Sequence, residues 1–199
     1  MPEVNEKFYN LKGLDDDLLR RLEKLNPRRL WLRRLAFLEN IFTYYKFSVS
    51  SILLFQESCK KDAMVFENEQ ASLALAFYNH ARICLASLKE LSEEAVFSSV
   101  DERKSNLLQD HRDKYSSWAQ DTIKKRNSIS AHPTNNVREM IVSPSSWGTG
   151  GKITFATVDL EHITKGRKEY ELEPVTDMKK LREYIEKTVV HLKSVYDLT

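Results

Sequence analysis

Arg126, Asn127 and His132 are the residues of this 199-residue chain whose types and spacing best suit a chemical task. An Arg guanidinium can clamp two phosphate oxygens at once, and an imidazole exchanges protons near neutral pH. The pair therefore suits a phosphodiester. Arg126 falls where an inward apolar stripe should continue after Thr122 and Ile123. A guanidinium on an apolar face is costly unless it is paired or put to use. An Arg that bridges a carboxylate or snorkels to water at a helix end would leave the same trace. At ~100° per residue, Arg126 and His132 straddle Ile129 by about 60° on either side. They can converge on one ligand because the Arg side chain is long and Pro133 forces the helix end away from ideal geometry. Lys124 and Lys125 adjoin the motif and either extend a phosphate-binding surface or form a solvated face.

Other motifs fail on inspection. Gly148-Thr149-Gly150-Gly151-Lys152 suggests a phosphate loop, but Ser146 stands where its first Gly belongs and Ile153 where Ser or Thr would hold magnesium. Ile153 also takes the place of the third Gly of a dinucleotide fingerprint. His80, His111, His132, His162 and His191 show no HExxH and no metal-ligand clustering, and no GxSxG elbow occurs. The expectation is no metal and no cofactor. His80 borders an inward stripe and reads as a hydrogen-bonded core histidine. His111 can pack toward the core, with Arg112 and Asp113 on the surface.

With 41% hydrophobic and 30% charged residues, the composition is that of a folded globular protein, which excludes wholesale disorder. The length suits one domain spanning 1–199. Net charge is +2, but it is unevenly spread. Arg20, Arg21, Lys24, Arg28, Arg29, Arg33 and Arg34 face a single acid, Glu23. Such a segment can meet nucleic-acid phosphates or simply solvate a helix. Cys59 and Cys84 form no CxxC, which suits a reducing cytoplasm. The polar N-terminus lacks a signal-peptide layout, and no apolar run approaches the ~18 residues of a membrane span. A cytoplasmic protein without a membrane segment is expected.

The elements that must position the motif are mainly helical. Asp15 to Leu25 reads as a short amphipathic helix, ended by Asn26-Pro27. Trp31, Leu35, Leu38, Phe42, Tyr45, Val49 and Ile52 alternate spacings of four and three, a continuous stripe on a long helix. Phe37, Ile41 and Tyr44 form a second flank. Leu73, Phe77, Ala81, Cys84, Leu88, Leu91 and Ala95 repeat the pattern over 68–97. A further helix over 105–132 carries Leu108, Tyr115, Trp118, Ala119, Thr122 and Ile123 inward and ends at Pro133. Helices over 14–132 give way to a loop over 133–151. Lys152 to Leu160 and Lys168 to Glu173 then read as a β-hairpin turning at Lys165-Gly166, within 152–173. A last helix over 177–198 returns Leu181, Ile185, Val189, Leu192 and Tyr196 to the core. The fold class is mainly α, a bundle of about four to five helices with a short β-hairpin before the C-terminal helix.

The run Lys124 to Pro133, KKRNSISAHP, resembles the Arg-x(4–6)-His signature of the HEPN superfamily, in which a polar residue usually follows the Arg. Its place near the end of a long helix, with a hairpin and a last helix following, is similar to HEPN domains of abortive-infection and toxin–antitoxin proteins. The resemblance covers residues 30–198 and is sharp over 124–133. It implies an HEPN-like bundle and a metal-independent endoribonuclease acting in phage defence or as a toxin. Arg126 would stabilise the charged phosphorane, His132 would move protons, and Asn127 would orient His132 or the phosphate. It also implies a homodimer that pairs two motifs across its interface, with RNA as substrate and a separate antitoxin as a possible partner. The alternative is a non-catalytic HEPN-like module for RNA or nucleotide binding or for dimerisation. A helical adaptor unrelated to nucleic acid would leave Arg126 as a chance salt-bridge partner.

Overall fold

The computed structural model describes residues 3–12, 20, 29–60, 63–93, 120–122, 136–137, 153–159 and 167–195. These form a mainly α protein. Its helices are α1 (Arg29–Ser58), α2 (Ala63–Glu93) and α3 (Pro174–Val195), preceded by a 3-10 turn at Glu6–Tyr9. Arg20 and residues 120–122 are also helical, in agreement with the helices expected around them. Among the described residues no helix is long and apolar enough to cross a membrane.

The stripes of α1 and α2 meet as the spacing requires. On α1 the buried face runs through Leu38, Ile41, Tyr45, Val49, Ile52 and Phe55. Ile41, expected on the flank, is more deeply buried than Phe42, so the stripe is turned slightly from the expected line. Ser48 and Ser51 lie on the same buried face at 0% and 6% exposure. Each hydroxyl donates to the carbonyl four residues earlier, to Tyr44 and Phe47 respectively, which satisfies it without a partner helix. On α2, Phe77, Ala81, Cys84 and Leu88 are buried as expected, joined by Ala71, Ala74, Tyr78 and Leu85. The short side chains Ala71, Ala74, Ala81 and Cys84 let the two helices approach closely. Closeness is visible at Cys84, whose Sγ reaches the Ile41 carbonyl at 3.5 Å. Burial pushes the Cys84 thiol well above its ordinary pKa.

A turn over Cys59 and Lys60 closes α1. Cys59 N–H donates to the Phe55 carbonyl and Lys60 N–H to that of Glu57. Gln70 reaches back from α2 to cap the Ser58 carbonyl at 3.3 Å. α2 begins at Ala63, ahead of the expected 68, because Ala63 and Met64 favour helix although the apolar period starts later.

The expected hairpin is present. Strands β2 (Ile153–Asp159) and β3 (Arg167–Leu172) pair antiparallel, with Ile153 opposite Leu172 and Val158 opposite Arg167. A two-residue strand, β1 (Asn136–Val137), pairs with the far side of β2, opposite Asp159 and Val158. The sheet order is β1-β2-β3. β1 falls inside the stretch expected as loop, and two residues are too few to show a period. Leu172, fully buried, anchors the end of β3 in the helical core.

α3 starts at Pro174, three positions before the expected start. Proline suits the first helical position, where its missing N–H costs nothing. The Glu173 carbonyl accepts the first helical bond, from Asp177 N–H at 2.9 Å. Met178, Leu181, Ile185 and Val189 are all at most 1% exposed and close the core against α1 and α2.

Candidate functional site

Lys124, Lys125, Arg126, Asn127 and His132 lie outside the described residues, as do His111 and His162. The described residues nearest the motif are Gln120, Asp121 and Thr122. Gln120 and Asp121 are exposed, whereas Thr122 is 2% exposed. Thr122 was expected on the inward stripe, and it is inward.

Three polar clusters are built into the described core. The first is His80, at the seam of α1 and α2. Its Nδ1 lies 3.4 Å from Ser51 Oγ. Its ring packs 5.4 Å from Phe47 and 6.0 Å from Tyr44, which themselves meet edge to face at 5.8 Å. A Ser beside a His suggests an activated nucleophile, but this one is not built for the task. The Ser51 hydroxyl gives its proton to the Phe47 carbonyl, and Ser51 is 6% exposed. His80 is thus a hydrogen-bonded histidine between helices, as its sequence setting suggested.

Burial lowers the His80 pKa below the ordinary imidazole value, while the Phe47 carbonyl pulls it back up. The unfolded chain therefore takes up this proton first as pH falls. The stability associated with neutral His80 is fully present above about pH 6.5 and is lost as pH falls through the lower folded pKa. Chemical denaturation at pH 7.5 and 5.5 should show a smaller loss on acidification for His80→Gln than for the wild type. An identical loss in both would remove His80 from the acid response.

The second cluster ties α2 to the start of α3. The Tyr78 hydroxyl donates to Asp177 Oδ2 at 2.6 Å, and Lys180 Nζ lies 3.4 Å from Asp177 Oδ1. Burial first, and the neighbouring carboxylate second, push the Tyr78 pKa well above its ordinary value. Tyr78 is 1% exposed, so the pair orients α3 and has no access to a substrate.

The third cluster lies between α1 and α3. Arg182 Nε bonds Glu186 Oε1 at 2.9 Å. Tyr45 is buried beside them, and burial raises its pKa well above the ordinary value. This cluster is occupied by the chain's own N-terminal segment. Among the described residues no group of three or more His, Cys, Asp or Glu could hold a metal ion. Cys59 is exposed and free, and Cys84 is buried and free.

The helices and hairpin define a mainly α protein with a small antiparallel sheet set before its C-terminal helix. No protein-family model matches the chain, and no curated protein or solved structure matches it either.

Proposed function

We propose that the chain is a metal-independent endoribonuclease of the HEPN type, acting in the cytoplasm in phage defence or as a toxin. The observation that supports this reading is the burial of Thr122 beside exposed Gln120 and Asp121. It agrees with an inward-facing position at Thr122, four residues ahead of Arg126 in sequence. A helix continued by one turn would bring Arg126 onto that face, since positions i and i+4 lie one above the other. A guanidinium there needs an anion, and an RNA phosphate is one.

In the proposed reaction the ribose 2′-oxygen attacks the adjacent phosphorus and loses its proton to a base. The bond from phosphorus to the 5′-oxygen breaks, and that oxygen takes a proton from an acid. The products are a 2′,3′-cyclic phosphate and a 5′-hydroxyl. Arg126 holds the phosphorane oxygens, His132 transfers protons, and Asn127 orients His132 or the phosphate. Lys124 and Lys125 draw in the RNA backbone. One His132 cannot stand on both sides of the phosphorus, so the working unit is an isologous homodimer with two motifs at its interface. A separate antitoxin would act by covering that interface.

Purified wild type and His132→Ala, incubated with RNA in EDTA, test the reading. Cleavage by wild type alone, with cyclic-phosphate ends, is the expected result. Binding of RNA without cleavage by either protein would replace it with a non-catalytic RNA-binding module.

A further inference from the structure

Residues 3–12 are held against the helices by side-chain contacts. The segment lies across α1 and α3 with Val4 and Leu11 buried at 2% and 5% exposure. Helix side chains grip its main chain from end to end. Gln56 of α1 accepts from Val4 N–H at 3.0 Å and donates to the Val4 carbonyl at 2.8 Å. Tyr45 donates to the Phe8 carbonyl at 2.8 Å. From α3, Arg182 Nη2 donates to the Asn10 carbonyl at 3.1 Å, and Glu186 accepts from Lys12 N–H at 3.1 Å. The Arg182 guanidinium also stacks over the Phe8 ring, 4.6 Å from its centre. The Tyr9 hydroxyl and Ser50 Oγ lie 2.9 Å apart.

Among the described residues, every backbone–backbone bond of this segment is internal to it, within the turn. Its attachment to the helices is made by their side chains. The main-chain groups inside α1 and α3 are already bonded within each helix, so only their side chains are free to bind a crossing main chain. Side chains that read the main chain of a bound segment, with burial of spaced apolar anchors, are a means by which a groove receives a peptide.

We propose that α1 and α3 form a peptide-binding groove and that residues 4–12 are its intramolecular ligand, a strap that can leave as a unit. The ligand pattern is a peptide carrying a single 3-10 turn at its centre, with apolar anchors at the spacing of Val4 and Leu11. Gln56, Tyr45, Arg182 and Glu186 read its backbone. Release of the strap uncovers the Arg182–Glu186 pair and the α1–α3 seam, without disturbing the α1–α2 interface. The inference is independent of the ribonuclease reading.

The test uses the full-length chain and a fluorescent peptide of residues 1–12. Val4→Asp breaks an anchor on the strap and leaves the groove intact. The variant keeps the wild-type helical signal and binds the peptide saturably. The wild type binds it about 10- to 100-fold more weakly, because the tethered strap competes at an effective concentration of order millimolar. Adding Gln56→Ala to Val4→Asp weakens peptide binding again. Equal binding by wild type and Val4→Asp, or none by a folded Val4→Asp, overturns the proposal. Loss of the fold in Val4→Asp overturns it as well. Hydrogen exchange on the wild type gives an independent reading. Val4 and Lys12 amides should exchange together, well ahead of the α1 amides around Val49. Exchange of all of them only on global unfolding would contradict a detachable strap.

Discussion

On the proposed ribonuclease reading, Arg126→Ala should lower RNA cleavage by about two to three orders of magnitude, and Arg126→Lys should recover little of it. The size follows from the role. A donor aimed at charge that develops only in the transition state is worth about 10²–10³ in rate when removed. The failure of Lys follows from geometry. A guanidinium offers two parallel N–H donors to two phosphorane oxygens, whereas an ammonium is a point charge. The loss should fall on kcat and kcat/KM alike, since the interaction strengthens in the transition state. A rise in KM with kcat unchanged would make Arg126 a binding residue only. Single-turnover cleavage of a short RNA at saturating protein measures the difference directly.

Phe77→Ala is the second large effect, and it falls on the fold. Phe77 is fully buried in the core and meets Tyr78 at 4.9 Å between ring centres. Truncating a buried Phe costs about 3–5 kcal/mol, from lost transfer energy together with the cavity left behind. That is a large share of the roughly 5–15 kcal/mol that holds a domain folded. Thermal unfolding should move down by about 6–20 °C, at ~2–4 °C per kcal/mol for a chain of this size. Leu54, 53% exposed on α1, is the control. Leu54→Ala should stay within about 0.5 kcal/mol of wild type. A Phe77→Ala melt near the wild-type value would mean that the α1–α2 interface is not the centre of the fold.

Much of this core was legible because helices α1, α2 and α3 each repeat an apolar period over several turns. Such a pattern leaves one face to bury, and Tyr45, Val49, Phe77, Ala81, Leu181 and Ile185 lie on it. The hairpin was legible for a similar reason, through β-forming runs on either side of Lys165-Gly166. What escaped was short. Val4, Phe8 and Leu11 carry a recognisable apolar spacing, but the segment is too brief for a helix and is fixed by distant side chains such as Gln56 and Arg182. β1 escaped because a two-residue strand is defined by its partner, not by its own composition. Gln56, Arg182 and Glu186 look on the sequence like ordinary polar members of amphipathic helices, and Tyr45 reads only as part of the apolar stripe. Their meaning depends on what crosses α1 and α3.

The candidate catalytic site is a reading of residue chemistry, since Arg126, Asn127 and His132 lie outside the described residues. Arg126 and His132 are of types that suit a phosphate and a proton transfer, and Asn127 is of a type that could orient either. Placing two His132 side chains about one phosphorus needs a two-fold axis, and a single sequence does not encode where that axis runs. One motif carries a single imidazole, that of His132, and so falls short of a full acid–base pair.

A subunit-mixing curve tests the composite ribonuclease site most directly. Wild type and His132→Ala are mixed at fixed total concentration, allowed to exchange subunits, and assayed on RNA in EDTA. If each active centre draws on both His132 side chains, activity follows the square of the wild-type fraction. An equal mixture then retains about one quarter of the wild-type rate. A straight line through about one half would place a complete site in each chain. Absence of cleavage at every ratio, the wild type included, would contradict the ribonuclease account itself.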